Sequence, residues 1–201
     1  MFVLFRFGLL IFVVIIHELA HGFVANKLGD PTAKQQGRLS LNPLVHMDIV
    51  GSFLLPLMSV VTGAPVFFGW AKPVPVQPRY FKNPERDLMW VALAGPAVNL
   101  LMAVVAISIV PYLYAMPSVF LGVYYFIQVN LGLAVFNLFP IPPLDGSRVL
   151  MYFGNKRVKY WLSELEKYGI ILEFVLAYLG VFSKILWWVL LPILTLVFPV
   201  M

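Results

Sequence analysis

Near the start of the chain stand His17, Glu18 and His21, in the order His-Glu-Leu-Ala-His. On a helix, residues four apart share a face, so both imidazoles can grip one metal ion. Neutral imidazole nitrogens suit zinc. The carboxylate beside the first His reaches the position where a water would sit, so Glu18 could take that water's proton. The chain has no cysteine, which removes disulfides, thiolate nucleophiles and Cys-based zinc sites together. Any metal must therefore be held by His, Asp, Glu or Asn. A pattern this short can arise by chance, or serve as a polar contact between helices. The surroundings argue against an idle trio. Residues 2–26 are otherwise almost wholly apolar, and ionisable groups in such a segment are costly unless used or paired.

Two imidazoles and a water leave room for a third protein ligand. Glu85, Asp87, Glu164 and Glu166 sit among basic residues and read as solvated charges, while Asp30 lies in a turn-forming Gly-Asp-Pro. Glu173 enters the last apolar tract. Asp145 differs, because it follows Asn-Leu-Phe-Pro-Ile-Pro-Pro-Leu at 137–144. Those prolines force an extended backbone that presents a carboxylate. An Asp-Gly turn at a helix end is the plainer reading of the same residues, and His46 and Asp48 are the other candidate ligands. Asn99 and Asn137 fall inside apolar runs. There an amide either holds helices together or steadies a substrate backbone or oxyanion.

The elements that must position these groups follow from composition. The 201 residues are 61% hydrophobic and 11% charged, with a mean hydropathy of +0.90. A soluble domain carries about 25% charged residues. An ordinary soluble enzyme, a disordered chain and a nucleic-acid module are therefore excluded, and the partner surface is a lipid bilayer. The fold class expected is an all-α polytopic membrane protein. It would have about four to six transmembrane or re-entrant segments and short extended strands at the cytoplasmic face. Spans are expected at 2–26, 88–110, 117–139 and 169–199, all within one domain, 1–201. A cleaved signal peptide is the alternative for the first, but cleavage after Ala20 would split the His-Glu-His cluster, and no clean processing site precedes it. Gly180, Ser183 and Lys184 interrupt the last tract, leaving open whether it is one span or two. Residues 49–70 are apolar but broken by Gly51, Pro56, Gly63 and Pro65, which suits a re-entrant segment or hairpin.

Twelve of the 14 basic residues, all but Arg6 and Lys184, fall between apolar segments on what could be one face. By the positive-inside bias that face is cytoplasmic. His17 and His21 lie near the cytoplasmic end of the first span, and Asp145 lies just past the third. They can meet only if 49–70 dips into the membrane and returns. Asn99 and Asn137 then fall at the same depth.

Taken together these stretches resemble the site-2 proteases, intramembrane zinc metalloproteases of peptidase family M50. The resemblance rests on HELAHG (17–22), GRLSLNPLVHMD (37–48), FGWAKPVPV (68–76), AGPAVNL (94–100) and NLFPIPPLDGSRVL (137–150). It implies one catalytic Zn2+ held by His17, His21 and Asp145, with Glu18 as general base. It also implies Asn137, and less directly Asn99, as substrate-binding groups. The implied activity is cleavage of transmembrane protein substrates near the cytoplasmic side, in a multi-pass protein of the cell membrane. Gly146 is followed by Ser147 where many relatives have a second Gly, and Asp48 by Ile49 where Pro is usual. The chain looks like a minimal core without PDZ or CBS domain. Residues 38–41 and 71–78 could offer a strand edge to an unwound substrate. The competing expectation is a non-catalytic zinc-binding membrane protein or metal carrier using the same ligands.

Overall fold

The computed structural model describes residues 2–48, 51, 72–113 and 115–198, and among these there is no strand. The short strands expected at one face are therefore not seen. In their place residues 72–77 run extended between prolines, without a ladder partner. The expected re-entrant segment, 49–70, lies outside the described residues apart from Gly51.

Helix α1, Phe2–Lys27, follows from an apolar run without an interior proline. Its 26 residues rise about 39 Å at about 1.5 Å each. It ends where Gly29, with φ +111°, turns the chain, and one further turn, α2, spans Thr32–Gln35. Helix α3, Pro84–Ile109, and helix α4, Pro117–Asn137, both begin on proline, which needs no N–H at a helix start. Helix α4 stops two residues short of the expected boundary at 139. Pro140, Pro142 and Pro143 follow, and none can donate to a continuing helix. The chain then enters α5, Asp145–Phe153, and α6, Lys156–Glu166. Asn155 caps α6 by accepting the Val158 N–H at 3.0 Å.

Among the described residues, three helices are long and apolar enough to cross a membrane: Leu4–Lys27, Pro84–Tyr112 and Pro117–Asn137. The last tract is broken. Helices α7, Gly169–Tyr178, and α8, Val181–Val197, meet at a 70° bend. Gly180 makes the corner with φ +68°, a conformation other residues adopt only at a cost.

Packing joins α3, α4 and α8. Ala103 and Ala106 let the backbones approach, and Ile127, Leu131, Leu190 and Leu194 fill the space between. The opposite face of α3 leaves Leu101, Val104 and Val105 exposed, as a lipid-facing surface would. Helix α1 packs against α3 as an antiparallel neighbour, so residues early in one meet residues late in the other. That contact builds the site.

Candidate metal centre

Helix α3 presents Val91, Gly95 and Asn99 at four-residue spacing, which is one stripe of a helix. Each touches a histidine of α1 or makes room for one. The Nδ1–H of His17 donates to Asn99 Oδ1 at 3.1 Å. The Nδ1–H of His21 donates to the Val91 carbonyl at 2.7 Å. Both acceptors are oxygens without a proton, so in the neutral rings both Nε2 atoms keep their lone pairs. Between these contacts lies Gly95. A Cβ there would sit 2.5 Å from Nε2 of both histidines, closer than packed atoms can be. Pro96 follows it and lacks the N–H that the Ala92 carbonyl would receive, which opens this turn of α3.

The third group arrives from the end of α4. Asp145 is the first residue of α5, behind the extended Leu144. Gly146 lets that turn press on the carbonyls of Leu138 and Phe139, where a side chain would collide with backbone. The carboxylate is thereby set at the histidines. Asp145 Oδ2 lies 3.3 Å from His17 Nε2 and 3.4 Å from His21 Nε2. It is buried and has no hydrogen-bond partner.

These residues fit a metal ion. Three lone-pair atoms converging on one point repel unless a proton or a cation sits between them. Bonds of about 2.0–2.1 Å arranged tetrahedrally put ligand atoms about 3.3 Å apart, and Asp145 Oδ2 keeps close to that spacing from both Nε2 atoms. His17, Glu18 and His21 also offer ligand atoms that all lie within 4.8 Å of one another. Glu18 points its Oε2 away to the strap at 72–77, where it accepts the Val74 N–H at 2.8 Å. It stands beside the three converging atoms with its carboxylate already oriented.

The structure thus brings His17, His21, Glu18 and Asp145 together. Asn99 joins them as a fully buried side chain whose Oδ1 is engaged by His17 and whose Nδ2 has no hydrogen-bond partner among the described residues. Asn137 is in the last turn of α4, with Nδ2 donating to the Leu133 carbonyl at 2.9 Å. His46 is buried elsewhere, its Nε2 against the Ser40 carbonyl at 2.8 Å. Sequence reasoning missed Val91, Gly95 and Val74. The four-residue stripe ending at Asn99 was the available signal for the first two. Nothing local marks Val74, because its role is a backbone N–H.

The sequence profile described as Peptidase family M50 matches residues 113–182, a stretch that holds Asn137 and Asp145. Similar proteins include three that carry the name "Putative zinc metalloprotease". YwhC of Bacillus subtilis is 39% identical over 181 residues, covering 86% of this chain and 79% of its own. Rip2 of Mycolicibacterium smegmatis is 30% identical over 163 residues, covering 80% of this chain and 61% of its own. MJ0611 of Methanocaldococcus jannaschii is 30% identical over 153 residues, covering 73% and 74%. No solved structure matches the chain.

Proposed function

The chain belongs to peptidase family M50, and from that premise we propose that it is a zinc-dependent intramembrane endopeptidase. It hydrolyses peptide bonds within or near the transmembrane helices of other membrane proteins, in a multi-pass protein whose site faces the cytoplasmic side of the cell membrane. The observation that carries this reading is the convergence of His17 Nε2, His21 Nε2 and Asp145 Oδ2 beside Glu18, at one end of the bundle of apolar helices.

His17, His21 and Asp145 would hold one Zn2+, which when bound supplies a Lewis acid for a carbonyl and a water. The chain's own residues do the rest. Asn99 and the Val91 carbonyl fix both imidazole rings and their tautomers. Glu18 takes the proton of the attacking water and returns it to the leaving amine. An amide closed inside a helix is out of reach, so the substrate unwinds before it enters. Asn137 lies next to the extended segment that delivers Asp145. One of its N–H groups is spent on the Leu133 carbonyl, and the second holds a substrate backbone oxygen in this reading.

The test is cleavage of a panel of single-span reporter proteins in lipid, comparing the natural chain with Glu18→Gln and measuring zinc in both. Cleavage by the natural chain that vanishes in a zinc-loaded variant is the expected result. Equal cleavage by the variant would exclude Glu18 as the base. Zinc in both with no reporter cut would favour the non-catalytic zinc protein or metal carrier.

A further inference from the structure

Two stretches of the sequence have no part in the chemistry so far: residues 37–48, with Arg38, and the proline-spaced residues 72–76. The structure ties them to each other and to Glu18. The Lys72 N–H donates to the His46 carbonyl at 2.8 Å. Arg38 is 5% exposed, and its guanidinium donates to the Lys72 carbonyl at 2.6 Å and the Pro73 carbonyl at 3.3 Å. One residue further on, the Val74 N–H meets Glu18 Oε2. Beyond that, the Gln77 N–H is taken by Asp30 Oδ2 at 2.6 Å. The strap is therefore pinned on both sides of Val74. Its side chain also packs toward Gly22, where a Cβ would lie 3.1 Å from Val74 Cγ1.

We propose that Arg38 is a positioning residue for the general base: by clamping the Lys72 and Pro73 carbonyls it fixes the Val74 N–H, and that N–H sets the Glu18 carboxylate. The inference rests on Glu18 acting as the base. Its physical content is a relay with one side chain at the start, one backbone N–H in the middle and the carboxylate at the end. A buried guanidinium is costly unless its donors are used, and here the hydrogen bonds it makes run from Nη2 to two consecutive carbonyls of the strap. Pro73 and Pro75 add a second point. Successive residues of an extended chain turn their N–H groups to opposite sides, and prolines have none. The edge that Val74 presents keeps its donor, and the opposite edge is blank.

The same feature supplies a direct readout. Between Lys72 and Val76 the only exchangeable amide is that of Val74. In the full-length protein in lipid, hydrogen exchange over residues 73–75 should be slow. It should become fast in Glu18→Ala and in Arg38→Ala alike. In parallel, zinc-loaded Arg38→Ala should lose about 10- to 100-fold in kcat, as loss of a supporting contact does at metal sites, with KM little changed and with partial rescue by Arg38→Lys. Val74→Pro removes the middle of the relay without touching Arg38, and serves if Arg38→Ala fails to fold. It should lose a similar factor, and the double variant should be no worse than Val74→Pro alone, since residues acting as one unit do not add. Additive losses in kcat, a loss confined to KM, or Val74 exchange unchanged by Glu18→Ala would each overturn the relay. If zinc-loaded natural protein cuts no reporter, the reading of Glu18 as base fails by itself, and the exchange experiment still decides whether Arg38 governs the strap.

Discussion

The two sides of Glu18 are built by different means. On the metal side, every contact runs between helices: His17 to Asn99, His21 to Val91, and both rings over Gly95. Helix spacing sets these distances, and burial excludes competing water. On the strap side, the contacts run between loops and backbone: Arg38 to two carbonyls, Lys72 to His46, Val74 to Glu18. The difference teaches where each demand is met. Ligands must hold a fixed geometry, so they sit on rigid helices. A base that takes and returns a proton beside an incoming peptide is held from a strap, which can adjust without disturbing the ligands.

That contrast can be broken at several points. The largest effect is expected from Asp145→Ala, which removes one of the converging atoms. Zinc retention on dialysis and reporter cleavage should both be lost, whereas Glu18→Gln keeps the zinc. Gly95→Ala comes next, because its Cβ would strike both histidines from a helix that cannot shift cheaply. Overpacking of this kind costs about 1–3 kcal/mol, and competition with a chelator should show the loss as weakened zinc binding. Asn99→Ala releases only one ring. Zinc affinity should fall about 10- to 100-fold, and Asn99→Asp, which restores an acceptor for His17 Nδ1, should recover part of it. On the strap side, Asp30→Asn weakens the acceptor for Gln77 and Thr32. Turnover should fall by less than with Arg38→Ala, with zinc affinity unchanged; an equal fall in zinc affinity would erase the distinction between the two sides. The smallest effect belongs to Gly180→Ala, at the α7–α8 corner. Open space surrounds it but φ is +68°, so a cost of about 1 kcal/mol in thermal stability is expected, with zinc content intact.

How much of this was legible in the sequence follows the same division. The spans and the His-Glu-His cluster are written in local patterns: long apolar runs, and ligands four residues apart. Asp145 was legible as a candidate because the prolines before it announce an unwound backbone. The resemblance already set it ahead of His46 and Asp48, and the fold carries it to the histidines while leaving His46 bonded to Ser40. The break at Gly180 was legible only as one of two alternatives, because glycine is found both inside spans and at corners, and the positive φ decides. Val91 and Gly95 were hidden for another reason. A stripe on α3 looks alike whether it faces lipid, a neighbouring helix or a metal ligand. The strap was least legible of all, since its contacts join its backbone groups to residues far away in the chain.

The most direct test of the metal centre is to purify the natural chain and Asp145→Ala in lipid and measure bound zinc, with X-ray absorption at the zinc edge to read its ligands. One zinc per natural chain is expected, bound by two imidazoles and by oxygen, with Asp145→Ala binding much less. A natural chain without zinc, or zinc held equally well without Asp145, would contradict the assignment of His17, His21 and Asp145 as its ligands.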